Sequence, residues 1–172
     1  FEYGESRAAA WDCPISVQAG EPEEILGHPR IDDILETLRR WEDVRCRGWL
    51  TEEQKLLLRR PGEEYTLLVN GGGEYELTRW EQTACGDDRI RAFIFERNGA
   101  FWAAYWHLTG EGRLWLPLEP GDVRVSDEPD GDALAAEETA DGVTVPAGGR
   151  RYLCSGVSRE KLAAALAAAR IV

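Results

Sequence analysis

A chain of 172 residues is long enough to bury a real core in one domain, or in one domain with a small appendage. Hydrophobic residues make up 43% and charged residues 30%, a globular balance that argues against wholesale disorder. With 32 acids against 20 bases the formal net charge is -12, which repels polyanions and argues against nucleic acid or an anionic membrane surface as a partner.

No apolar run approaches the roughly 20 residues that a bilayer span needs, and no basic stretch followed by an apolar one marks a leader, so the expectation is a cytoplasmic-type protein without a membrane role. Cys13, Cys46, Cys85 and Cys154 are scattered, with no paired zinc-ligand spacing, and read as mostly buried thiols. No cofactor is expected. The chain opens at Phe1 and contains no Met, which reads as a fragment of a longer protein.

In chain order, residues 1–20 are short apolar pieces broken by Gly and Pro, the pattern of an extended arm or strand followed by loop. Residues 31–45 predict a helix, with Ile31, Ile34, Leu35, Leu38 and Trp41 on one stripe, acids early, arginines late and Gly48 as its stop. Thr51-Glu52-Glu53-Gln54 is a capping-box pattern that starts a second, short helix, which Pro61-Gly62 ends. Residues 1–63 therefore form an N-terminal arm and helical segment, and 64–172 a β-sandwich domain.

From residue 64 the apolar period becomes two. Tyr65 to Asn70 and Tyr75 to Trp80 predict strands around the turn Gly71-Gly72-Gly73, and Arg89 to Glu96 pairs with Ala100 to Leu108 across Asn98-Gly99. In the last of these, Phe101, Ala103, Tyr105 and His107 share one face, and Trp102, Ala104, Trp106 and Leu108 the other. Both faces are apolar, which predicts a central strand covered on both sides. Further strands are expected at Leu114–Leu118, Val123–Val125, Ala133–Glu138, Val143–Val145 and Arg151–Cys154. A helix from Ser158 to Arg170 follows, presenting Leu162, Ala165, Leu166 and Ala169. The span 126–142, rich in Asp, Glu and Gly, reads as a mobile loop region. The fold class is thus α+β, mainly β: an antiparallel β-sandwich of about eight strands with two N-terminal helices and one C-terminal helix.

Among residues able to carry chemistry, Glu2 and Glu5 come first. Glycoside hydrolysis uses two carboxylates flanking one bond, but on a strand residues three apart point to opposite faces. The plainer alternative is two solvated acids on an arm. Trp102, Trp106 and Trp115, within the set Trp80, Phe101, Trp102, Tyr105, Trp106 and Trp115, are candidate sugar-stacking rings, although their alternation with Ala and Leu is also what a sandwich core requires. His107 and Glu111, followed by Pro120-Gly121-Asp122, resemble a cupin metal motif. Tyr105 stands where a second His belongs and His28 is the only other histidine, so a third ligand is missing and no metal is assigned. Cys13 has Arg7 near in sequence but no histidine base by spacing. Gly71-Gly72-Gly73 precedes no helix and is a turn rather than a phosphate cradle.

The order of elements resembles the C-terminal part of glycoside hydrolases in which an antiparallel sandwich follows a (β/α)8 barrel. Phe1-Glu2-Tyr3-Gly4-Glu5-Ser6-Arg7 resembles a final barrel strand and its loop, helix 31–45 the last barrel helix, and the strands from Tyr65 to Cys154 the sandwich. The resemblance is architectural. It implies a non-catalytic sandwich portion of a carbohydrate-active enzyme, inactive alone, with Glu2 and Glu5 the only residues placed to join an active site. It further implies carbohydrate as a ligand, and packing against an upstream domain or a second copy. The alternatives are a free-standing cupin-like β-barrel that binds a ligand or metal, and a purely structural interaction module.

Overall fold

The computed structural model describes residues 1–16 and 20–172. Its elements run α1 (Glu2–Ala10), α2 (Pro22–Leu26), α3 (Ile31–Cys46), α4 (Glu52–Leu58), β1 (Glu64–Val69), β2 (Tyr75–Thr83), β3 (Ile90–Arg97), β4 (Ala100–His107) and β5 (Gly112–Leu116). After a 3-10 turn at Pro120–Asp122 come β6 (Val123–Ser126), β7 (Glu137–Thr139), β8 (Gly142–Ala147), β9 (Arg151–Ser155), α5 (Arg159–Ala167) and β10 (Arg170–Ile171). The strands form two antiparallel sheets, ordered β1-β2-β3-β4-β9-β6 and β10-β5-β8-β7, the α+β, mainly β sandwich that the two-residue rhythm predicts. By contact density the chain divides into Phe1–Leu67 with Leu77–Arg79, and Leu68–Glu76 with Trp80–Val172. No described helix is long and apolar enough to cross a membrane.

In the larger unit, β4 lies between β3 and β9 and is buried on both faces. One face places Ala103 and Tyr105 in a core with Ile90, Ile94, Leu114, Val143, Val145 and Leu153, to which α5 adds Leu162, Ala165 and Leu166. The other face places Trp102, Ala104 and Trp106 in an aromatic layer with Trp80, Phe93, Phe95 and Tyr152. There Trp80 stacks on Phe93 at 4.3 Å between ring centroids, and Phe93 on Trp106 at 5.4 Å, separations at which aromatic pairs add to simple burial. Asn98 and Gly99 both take positive φ, 54° and 73°, as a two-residue hairpin turn demands, and Arg97 pairs with Ala100 across it.

Arg97 locks three loops of this unit together. Its Nε and Nη2 donate to Glu76 at 2.7 and 2.9 Å, while Nη1 and Nη2 donate to Asp130 at 2.6 Å each. Asp130 also accepts from the Gly71 amide at 3.0 Å, so the β1–β2 turn is tied to the loop after β6. The guanidinium beside it holds the Asp130 carboxyl down at about 2, and lowers Glu76 as well.

In the smaller unit, α3 buries Thr37, Trp41 and Val44, at helical spacing. The α4 capping box forms as the sequence predicts: Gln54 N–H donates to Thr51 Oγ1 at 3.2 Å, and Thr51 N–H to Gln54 Oε1 at 2.8 Å.

Several expectations need correction. Glu2–Ala10 is a helix rather than an arm or strand and Pro22–Leu26 is helical too, so among the described residues four helices rather than two precede the sheets, and the likeness of Phe1–Arg7 to a barrel strand does not hold. The expected α3 stripe is rotated, because Leu35 is 51% exposed and Thr37 takes an inward place. Cys13 and Cys46 are exposed rather than buried; Cys85 and Cys154 are half-buried, and burial raises both thiol pKa values. The span 126–142 contains β7, shifted from the expected 133–138, and a bridge from Ser126 to Ala133. The last two residues of β10 pair with Trp115 and Leu114, an element too short to leave a periodic signal.

Candidate functional site

Helix α1 carries its polarity inside out. Its buried side is Glu2, Glu5, Ser6, Ala9 and Ala10, a helical stripe at i, i+3, i+4, i+7 and i+8. Its exposed side and its two flanks carry the rings instead: Phe1 is 63% exposed, Tyr3 39% and Trp11 62%. Burying carboxylates and exposing aromatics both work against folding, so the neighbours must compensate.

The helix brings Glu2 and Glu5 to one face, where a strand would have parted them. The carboxylate of Glu2 accepts from the Thr66 hydroxyl at 2.7 Å and from the Trp41 indole N–H at 3.3 Å. Glu5, one turn on, is 2% exposed. Both carboxyl groups are thus buried within the helical unit, with α3 and β1 supplying the donors to Glu2.

On the outer side Tyr3, Arg7 and Trp11 follow one another at four-residue steps, along one ridge of the helix surface. The Arg7 guanidinium lies 4.2 Å from the Tyr3 ring centroid, and the Arg59 guanidinium 4.1 Å from that of Trp11. Arg7 donates to the Arg59 carbonyl at 3.0 Å and to that of Arg60, just past the end of α4. Arg59 in return donates through Nε to the Ala10 carbonyl at 3.0 Å, the last of α1. Each arginine therefore satisfies carbonyls that the other's helix leaves without an intrahelical partner, and each lies at the negative end of a helix dipole. Among the described residues neither Arg7 nor Arg59 forms an ion pair with a carboxylate, whereas nearby Lys55 is held by Asp12 at 2.8 Å. In a chain of net charge -12 this leaves a local cationic strip between two exposed rings.

The other sequence candidates fall elsewhere. Trp102 and Trp106 are 6% and 7% exposed, inside the aromatic layer, and the Trp102 indole donates to the Arg97 carbonyl at 3.2 Å. Trp115 is 8% exposed; its indole donates to Asp141 at 3.1 Å and the Arg170 guanidinium lies 3.7 Å from its ring centroid. These three rings pack within the β-rich unit. His107 is buried, and its Nδ1 accepts from the Thr109 amide at 3.1 Å; no group of three His, Cys, Asp or Glu that suits a metal occurs among the described residues. The exposed Cys13 thiol lies 3.4 Å from the Trp11 carbonyl oxygen.

The strip of Tyr3, Arg7, Trp11 and Arg59 is not evident from local sequence patterns. Its one visible trace is the four-residue spacing of Tyr3, Arg7 and Trp11; the fourth member comes from a different helix. No family model, curated protein or solved structure matches this chain.

Proposed function

We propose that this chain is a non-catalytic β-sandwich module with a helical flank, serving a carbohydrate-active protein through packing and sugar contact. The observation that carries this reading is the inverted polarity of α1. Glu2 spends its carboxylate on interior hydrogen bonds, Glu5 is buried one turn on, and the rings are presented outward where a ligand has access. A glycosidase pair needs two carboxyl groups facing a cleft that admits a sugar ring. Glu2 instead accepts from a buried indole and a buried hydroxyl. Exposed aromatic faces suit pyranose rings, whose C–H faces are apolar while their rims are polar.

The test uses the whole chain in two arms. Tryptophan fluorescence is titrated with a panel of oligosaccharides, and chromogenic glycosides are incubated to look for turnover. Saturable binding without turnover is expected. Turnover abolished by Glu5→Gln would make the chain an enzyme and end this reading. Silence across the panel would remove the sugar.

A further inference from the structure

We infer that the α1 strip is a subsite for a carboxylate-bearing sugar, a uronate unit of an oligosaccharide chain, with Tyr3 and Trp11 as its platforms and Arg59 as its anion contact. The inference rests on the carbohydrate reading above and deepens it to a ligand class and a site.

The geometry supplies three conditions for such a subsite. First, the platforms are held in place. Each ring has a guanidinium against one face, and each guanidinium is itself fixed by hydrogen bonds to helix-end carbonyls. A clamped ring loses little freedom on binding, which is where exposed side chains usually forfeit affinity. Second, the span suits an extended chain rather than one small molecule. Tyr3 and the C-cap residue Trp11 are eight residue steps apart, a rise of about 12 Å along the axis. Third, the charge fits. An Arg has five N–H donors, and those of Arg59 that meet the Ala10 carbonyl belong to Nε and Nη2. The Nη1 end remains for a ligand carboxylate, with the planar fork geometry that favours one. The exposed Arg60 side chain adds positive charge close by, tempered by Glu63 at 3.9 Å.

Overall acidity does not forbid this ligand. Repulsion from a charge of -12 weighs on a long polyanion that crosses the whole surface, whereas a short uronate chain meets mainly the local field. A protein partner is the less favoured occupant. A stable protein interface buries about 800 Å² per partner around a well-packed centre, and a single ridge of two rings on a convex helix offers little of that.

The experiment is calorimetric titration of the whole chain with a galacturonate oligomer, its fully methyl-esterified form, and a Glu-rich peptide. Each is repeated on Trp11→Ala and on Arg59→Lys, with circular dichroism to show that both variants remain folded. The galacturonate oligomer is expected to bind, to weaken about tenfold or more in Trp11→Ala, and to weaken with added salt. Arg59→Lys, which keeps the charge and loses the fork, is expected to weaken it too. Equal binding of the methyl ester would overturn the carboxylate assignment and leave the sugar reading standing. Sugar binding untouched by Trp11→Ala would move the site elsewhere and refute the inference alone. If no saccharide binds, both fail, and Trp11-dependent capture of the Glu-rich peptide would identify the strip as a protein-docking face.

Discussion

Arg97 has a 6% exposed side chain between acids that are 32% and 38% exposed, and so it has more to lose than they do. Replacing it by Met removes two forked pairs and the tie between the Gly71 turn and the Asp130 loop, while the freed acids recover water. A loss of about 2 kcal/mol in urea-unfolding stability is expected, well below the sum of four charged hydrogen bonds. Acid titration gives a second readout. Asp130 and Glu76 have folded pKa values below their ordinary ones, so the stabilisation is complete above about pH 5 and is lost progressively as pH falls towards the folded value of Asp130, about 2. Arg97→Met should flatten stability against pH across that window; an unchanged acid limb would show that the pairs contribute nothing there. Thr66→Val tests the other buried cluster, since it deletes the hydroxyl donor to Glu2 while keeping the shape. It should cost about 1–2 kcal/mol. These partnerships lie 21 to 64 residues apart in sequence, so local patterns gave no sign that Glu2 is an interior acceptor rather than a solvated acid.

Elements whose local chemistry agrees with their surroundings were legible; those that rely on distant groups were not. The α4 capping box, the Asn98-Gly99 hairpin and the two apolar faces of β4 each follow from a few adjacent residues, and each forms as expected. Helix α1 has no apolar stripe to read, because Glu2, Glu5 and Ser6 occupy its inner positions and the rings its outer ones. Its C-terminal end depends on Arg59, 49 residues away. Helix α3 misled by one step, since Thr37 replaced the more apolar Leu35 on the inner face. Gly86 offers a test at this scale. A Cβ there would stand 2.5 Å from the Ala169 carbonyl oxygen and 2.7 Å from that of Ala167, both backbone atoms with little room to yield. Its amide also donates to Leu166 O at 3.0 Å, docking the end of α5 on the β2–β3 loop. Gly86→Ala should therefore lower the thermal midpoint by several degrees, corresponding to about 1–3 kcal/mol, while Gly121→Ala, whose Cβ meets open space, should be close to neutral. Equal midpoints for the two variants would mean that the α5 contact is easily rearranged.

Over the whole chain, the burial of β4 on both faces sets which part opens last. Trp102 to His107 are buried without a break, and β4 is registered residue by residue against β3 on one side and against β9 on the other. Exposing those amides requires separating paired strands and admitting water to both the aliphatic core and the aromatic layer, which amounts to unfolding the β-rich unit. Helix α1, by contrast, is nine residues long, has a polar buried side and is bounded by exposed aromatics. Propensity alone does not sustain a helix of that length in water. Native-state hydrogen exchange should show amides of β3, β4 and β9 exchanging only through global opening, with slowing that tracks denaturant stability, and amides of α1 exchanging by local opening at a lower free energy. Arg59→Met should lower the protection of α1 first and leave β4 unchanged, because the helix loses the donor on its last carbonyl while the sheets keep theirs. If α1 and β4 instead share one exchange free energy, and Arg59→Met lowers both together, the two parts open as a single cooperative body. The polar cluster around Glu2 would then be as much a keystone of the fold as the tryptophan layer.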